Sequence, residues 1–332
     1  MTCSKIICKY GKRGETDADY KCKGVNMLRK AVVFGGGGFV GSAVVDALLK
    51  HNVEVCAVVK PGFWESPAAF RLGKDLPVVE CDLREVSGLR EKLPFRSADV
   101  FYQLAWEGNS GDAMLDPHLQ LQNVGWQLDS IFLASELQCE KWIGAGTISQ
   151  DELKTPEGRN SQGDRHRIFR TAALTTEYMG QSAAFQCGLE FLWPIISNVY
   201  GEGELIPRLI TTLMRSLLED RPMPLSTGEQ LYDFIYRSDA GEAYYCLGEA
   251  GRPGVRYNIS GGEPKALRSF LEELRDVAAP GAELQLGARA SGGVSLDYSS
   301  FDISTLRRDT GFAPAVSFEA GVSRLKEWML RH

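Results

Sequence analysis

The sequence predicts an α/β protein built on a doubly wound parallel sheet, with a smaller C-terminal lobe to take a substrate. Three observations predict it. Short apolar runs alternate with helical patterns as far as about Tyr200, a glycine-rich turn follows the first run, and beyond Tyr200 the pattern shortens under Gly and Pro punctuation. Strands that alternate with helices are joined by right-handed crossovers, and the sheet that results is parallel and covered on both faces.

Residues 1–26 are charge-rich and lack apolar periodicity, so they are expected to form a disordered leader outside the fold, and their deletion should leave folding intact. Ala31–Phe34 is a short apolar run ending in glycines, as a buried parallel strand does. Phe39–Lys50 places Phe39, Val40, Val44, Ala47, Leu48 and Leu49 at helical spacing. Val53–Val59, Pro77–Cys81 and Ala98–Leu104 read as the second, third and fourth strands. Leu115–Leu137 is a long helix, Lys141–Gly144 the fifth strand, Thr171–Cys187 a helix and Glu190–Ile196 the sixth strand. Residues 27–200 are thus expected to form a Rossmann-like domain, and 201–332 mostly a substrate lobe interleaved with it.

The chain has 332 residues, with 37 Lys and Arg against 43 Asp and Glu, a net charge of −6. Mild acidity argues against nucleic acid or an anionic membrane as the main partner, since either favours a basic face. No run of about 18 apolar residues is present to span a bilayer, and a cytoplasmic protein is expected. The eight cysteines form no C-x-x-C pair and stand apart from the four histidines, so no metal site is expected. Cys56 and Cys81 lie in apolar runs, where a thiol acts as a small hydrophobe.

Gly35, Gly38 and Gly41 follow the first strand with G-x-x-G-x-x-G spacing and open the first helix. In such a loop the first glycine permits the turn, the second admits a pyrophosphate to the backbone, and the third lets helix and strand pack. The N–H groups of the helix start, at Phe39 and Val40, add positive potential. A bound dinucleotide is expected. NAD sites usually offer an acid at the tip of the second strand; this strand ends in Lys60, which leans the choice between NAD and NADP toward NADP. Asp82 and Leu83 are placed where adenine docks, and Leu104, Ala105 and Trp106 beside the cofactor.

With FGGGGFVG at 34–41, CDL at 81–83, LAWEG at 104–108, GAGT at 144–147, NVYG at 198–201, GEQLYDFIY at 228–236, YNISGGEP at 257–264 and the closing segment at 301–322, the chain resembles the NAD(P)-dependent epimerase/dehydratase family. These are the extended short-chain dehydrogenase/reductases acting on nucleotide sugars. The resemblance implies a nucleotide-sugar substrate, Asn198 and Tyr200 on the substrate side, and often a homodimer through the helices after strands four and five; Trp126, Leu128, Phe132 and Leu133 have the spacing either to face the second copy or to lie in the core.

The family's chemistry uses a Ser/Thr, a Tyr acting as general acid/base, and a Lys four residues after that Tyr. Thr147 fits the first position. Phe169 falls on the Tyr position and Ala173 on the Lys position, so both proton-handling groups are replaced. Lys154 and His166, in the polar loop before the helix, are expected at solvated surface, and Arg170 is a cation too basic for acid/base work. Two readings stand: a nucleotide-sugar epimerase, dehydratase or reductase with a degenerate active site, and a noncatalytic NAD(P)-binding scaffold partner of an active paralogue.

Overall fold

The computed structural model describes residues 27–156, 158, 166–290 and 295–332. The leader expected over 1–26 lies outside the described residues, as does most of the polar loop between Thr155 and His166. A six-stranded parallel sheet forms the centre: β1 (Lys30–Phe34), β2 (Glu54–Val59), β3 (Val78–Glu80), β4 (Val100–Gln103), β5 (Lys141–Ile143) and β7 (Glu190–Leu192), in the order β3-β2-β1-β4-β5-β7. The order reverses between β1 and β4, and in open α/β sheets that switch point is where ligands bind, beyond the carboxyl ends of the strands.

Period-two alternation sorts β1 between two layers. Ala31 and Val33 pack with Val44, Val45 and Leu48 of α1 (Phe39–Lys50) and with Ala240, Ala243 and Leu247 of α6 (Arg237–Ala250). Val32 and Phe34 face the opposite layer, where Ile131, Leu133 and Ala134 of α2 (Pro117–Glu136) meet Ala173 and Ala184 of α4 (Arg167–Cys187). Leu133 is therefore core and not available to a second copy, because it points inward from α2; Trp126, Leu128 and Phe132 are half-buried. Asp116 caps α2 by accepting from His118 N and Leu119 N, with Pro117 in the first turn.

The expected sixth strand is two strands in two sheets. β7 ends at Leu192, Trp193 and Pro194 intervene, and β8 (Ile195–Ile196) pairs instead with β6 (Gly146–Thr147) and β12 (Asn258–Ile259). Pro194 supplies no N–H for a ladder, and the Trp193 indole stacks on Trp142 and Phe191 at interplanar angles of 2° and 6°. Helix α4 also begins four residues before the expected Thr171. Past Tyr200, α5 (Leu209–Leu218), α7 (Leu267–Ala278) and α9 (Phe318–Arg331) enclose a separate apolar cluster with Tyr200 and Phe234. Beyond Tyr200, Ala240, Ala243 and Leu247 of α6 and Ile259 of β12 join the apolar cluster around β1. No helix of the described residues is long and apolar enough to cross a membrane.

Candidate active site

The glycine loop turns directly beyond β1. Gly35 adopts φ +87°, and a Cβ there would lie 2.7 Å from Ala105 N. At Gly41 a Cβ would come within 2.0 Å of the Gly35 carbonyl oxygen, so the turn and α1 close on each other only with hydrogen at that position. At Gly38 a Cβ would meet only that same oxygen, at 3.1 Å; this stretch of backbone faces open space. Helix α1 has Gly38 at its N-cap, no side-chain cap and no acid in its first turn. Gly38, Phe39 and Val40 at this helix start line the main cavity.

Sequence reading missed what covers this loop. The connection after β2 folds back, and Arg71 donates to Gly37 O (3.1 Å) and twice to Gly203 O (3.2 and 2.6 Å), tying the loop to the segment after β9 (Asn198–Tyr200). Arg71 and Arg237 flank the Phe39 ring at 5.8 and 5.7 Å. The Phe63 ring lies over Gly37, where a Cβ would be 2.4 Å away.

A cavity of about 270 Å³ lies on the β2–β3 side of the loop, lined by Phe63, Lys60, Asp82, Leu83, Ala105 and Glu107 among others. Asp82 accepts from the Arg84 N–H at 2.9 Å. That bond, together with the Arg84 guanidinium, holds its carboxyl below the usual range against a weaker opposing effect of burial. The wall from Ala105 to Gly108 is fixed by α2. Gln127 Nε2 donates to Ala105 O (2.9 Å), and Gln120 Oε1 accepts from Trp106 Nε1 (2.7 Å). Gln120 Nε2 donates to Gly108 O (3.0 Å), and Asn123 accepts from Glu107 N and donates to Glu107 O, both at 2.9 Å. All three amide side chains are buried, and their spacing of 120, 123 and 127 marks one helix face.

The main cavity, about 1810 Å³, runs from Gly38 and Phe39 past Thr147, Phe169 and Ala173 to Asn198, Arg208, Tyr232 and Arg289 in the second lobe. The three positions aligned from sequence all line this cavity. The Thr147 hydroxyl lies 3.0 Å from Ser149 Oγ. The Phe169 ring meets Trp106 edge-on at 5.7 Å, and Ala173 is 3% exposed. Arg170 is buried and pairs with Glu152 at 2.9 Å, a carboxylate lining the same cavity that sequence reading did not single out. His166, expected at the surface, is exposed but reaches the cavity rim; Lys154 pairs with Asp151 at 3.0 Å.

Asn198 and Tyr200, expected on the substrate side, are bonded within the protein. Asn198 donates to Asp233 O (3.1 Å) and accepts from Tyr232 OH (3.1 Å), while Tyr200 OH donates to Phe318 O (3.2 Å). Burial, then the nearby Glu152 carboxylate, push the Tyr232 phenol above its ordinary value, so it stays protonated at neutral pH. Gln103, at the end of β4, is 1% exposed, and neither amide atom has a hydrogen-bond partner among the described residues. Cys56 and Cys81 are buried, and the described residues contain no group of His, Cys, Asp or Glu able to hold a metal ion.

The model of the NAD dependent epimerase/dehydratase family matches residues 31–260. A probable dTDP-glucose 4,6-dehydratase of Sinorhizobium fredii is 24% identical, covering 91% of this chain and 93% of its own length. Among solved structures, the Bordetella bronchiseptica enzyme WbmF in complex with NADH superposes with TM-score 0.73 at 20% identity, covering 92% of this chain and 93% of that one. The UDP-glucose 4-epimerase of Thermotoga maritima, with UDP-glucose, gives TM-score 0.75 at 19% identity over 91% and 99%.

Proposed function

Since the chain belongs to the NAD-dependent epimerase/dehydratase family, we propose that it is a nucleotide-sugar epimerase, dehydratase or reductase-like protein whose proton-handling pair has been replaced. The observation that carries this reading is the main cavity, which joins the uncapped N-terminus of α1 to Thr147 and the second lobe in one space. Its volume exceeds the 300–1,000 Å³ of an ordinary small-molecule site, leaving room for the reacting half of a dinucleotide and a nucleotide sugar together. Structures of WbmF with NAD+ and UDP lend support. So does the complex of a Tyr-to-Phe variant of Bacillus cereus UDP-glucuronic acid 4-epimerase with a UDP-sugar analogue and NAD, in which both ligands remain bound.

In this reading the backbone from Gly38 to Gly41 and the α1 dipole hold the pyrophosphate, Gly35 permits the turn, and the adenosine end enters the smaller cavity against Asp82 and Leu83. Leu104, Ala105 and Trp106 form the wall between the cavities. A nicotinamide dinucleotide supplies a hydride acceptor or donor for a sugar carbon. Thr147 orients the sugar oxygen. Phe169 fills the volume of a tyrosine without a transferable proton, and Ala173 leaves open the space of a lysine. Asn198 and Tyr200, their polar atoms bonded inside the protein, shape the substrate side. General acid–base participation is typically worth ~10²–10⁴ in rate, which is the deficit to be expected.

A second reading, a noncatalytic NAD(P)-binding scaffold partnered with an active paralogue, is favoured by the apolar contact of Phe169 with Trp106. Lys60 at the tip of β2 supports NADP as the alternative cofactor. Leu121 on α2 and Tyr178, Met179 and Phe185 on α4 are exposed and support a homodimer, which sedimentation equilibrium would show as twice the chain mass. Buried, unbonded thiols support the cytoplasm as location.

The discriminating experiment is hydride exchange between labelled dinucleotide and a panel of nucleotide sugars, with wild type and Phe169→Tyr/Ala173→Lys. Wild-type turnover at an ordinary rate eliminates the scaffold reading. Turnover by the double variant alone eliminates the active reading.

A further inference from the structure

Lys60 directly follows β2, where NAD sites usually carry an acid, yet it does not stand alone. Its Nζ lies 3.5 Å from Glu107 Oε1, and Asp82 is on the same cavity wall. The charged side chains lining the smaller cavity are therefore one ammonium and two carboxylates. Arg84, outside that lining, donates to Asp82 through Nε at 2.9 Å and Nη2 at 3.2 Å, so the Asp82 carboxylate has a cation of its own. Nor is Glu107 a casual surface acid: its backbone N–H and carbonyl are both held by the buried Asn123 amide, with Gln120 and Gln127 fixing the residues on either side.

We propose that Glu107 selects the unphosphorylated dinucleotide, NAD(H), over its 2′-phosphorylated counterpart. It does so by neutralising Lys60 and by presenting a carboxylate to the adenosine ribose from the loop after β4 instead of from the tip of β2. The proposal rests on the reading that the smaller cavity takes the adenosine end. A ribose 2′-hydroxyl can donate to a carboxylate, as it does to the acid of an ordinary NAD site. A 2′-phosphate has only acceptor oxygens and a charge near −1.5 to −2 at neutral pH. Placed here it would compete with Glu107 for Lys60. Lys60 and Glu107 are 69% and 45% exposed, so solvent and salt screen the effect to the order of tenfold rather than thousands.

The test is fluorescence titration with NADH and NADPH at low ionic strength. Wild type should bind NADH about tenfold tighter than NADPH or better. Glu107→Gln should tighten NADPH by about tenfold, equivalent to about 1.4 kcal/mol, with NADH changing less than about threefold. Adding Lys60→Gln to that variant should abolish the gain, and about 0.5 M salt should compress the wild-type preference. Wild type binding NADPH as tightly as NADH, or Glu107→Gln leaving their ratio unchanged, overturns the proposal. Failure of wild type to bind either compound is a different outcome, because it removes the dinucleotide reading on which the proposal stands.

Discussion

Removal of the Asn123 side chain should loosen the wall between the two cavities and lower stability by an amount that can be worked from its bonds. The amide accepts from Glu107 N and donates to Glu107 O, each at 2.9 Å, and donates to Leu119 O at 3.0 Å. Leu119 O also receives a helical bond, so Asn123→Ala strands two main-chain groups. An unsatisfied buried donor or acceptor costs about 1–3 kcal/mol. Water entering from the cavity relieves part of this, which places the expected loss at about 2–4 kcal/mol, a large share of an ordinary total of about 5–15 kcal/mol. Urea denaturation followed by two probes measures the loss, and hydrogen exchange at the Glu107 amide localises it. Asn123→Asp is the stringent variant: one oxygen still accepts from Glu107 N, but the other replaces a donor with an acceptor facing Glu107 O, so it should fare no better than Ala. A loss under about 0.5 kcal/mol, with the Glu107 amide as protected as before, would refute the idea that this amide holds the loop.

Gly41→Ala places a Cβ 2.0 Å from the Gly35 oxygen, so it should lose more than about 3 kcal/mol and all NADH affinity; a wild-type melting temperature would contradict this. Asp309 accepts from Arg308 (2.9 Å), Arg252 and Tyr257 (2.9 Å), which hold its carboxyl well below the usual range. Interactions that favour the ionised form contribute stability above the unfolded value of about 4, lost as pH falls through the folded value. Urea midpoints from pH 6 to 3 should therefore fall less steeply for Asp309→Asn than for wild type, and parallel curves would exclude the effect. Burial pushes the Cys56 and Cys139 thiols up to about 12. Neither should react with a thiol reagent at pH 8 until the protein unfolds, as peptide mapping of labelled samples would show.

The parts of the fold legible in the sequence are those governed by local pattern. Helix α1 lies where its spacing and the glycines put it, because Gly35 must turn at positive φ and Gly41 must let α1 close on the turn. The division of residues 190–196 between two sheets was hidden, since Ile195 and Ile196 are as apolar as β7, and only Pro194 and the Trp193 stack mark the change. The start of α4 carries no signal because His166 makes no side-chain cap. At the site, Thr147, Phe169 and Ala173 were placed by alignment and line one cavity. Arg71, Phe63, Glu107 and Glu152 were missed, as their positions follow from where connections pack and not from spacing. Gln120, Asn123 and Gln127 were findable: amides at i, i+3 and i+7 on the inward face of a helix need partners, and a neighbouring loop is where partners are found.

Phe169 and Ala173 differ in what a change to tyrosine and lysine would cost. Phe169 meets Trp106 edge-on and lines the main cavity, so a tyrosine there adds only one hydroxyl to accommodate. Ala173 is 3% exposed within the layer of α2 and α4, one turn from the Arg170 guanidinium. A lysine there must either reach the cavity or bury its ammonium beside the Arg170–Glu152 ion pair, and a buried charge without a partner of its own costs several kcal/mol. Ala173→Lys alone should therefore melt several degrees below wild type, while Phe169→Tyr alone should differ little. A dinucleotide ribose in the cavity gives that ammonium hydroxyl oxygens to bond. Saturating NADH should then raise the melting temperature of Ala173→Lys more than that of wild type, by mass action on a folded state the ligand relieves. Equal shifts in the two proteins would mean that residue 173 does not face the bound ribose, and the alignment of the missing lysine with Ala173 would fall with it.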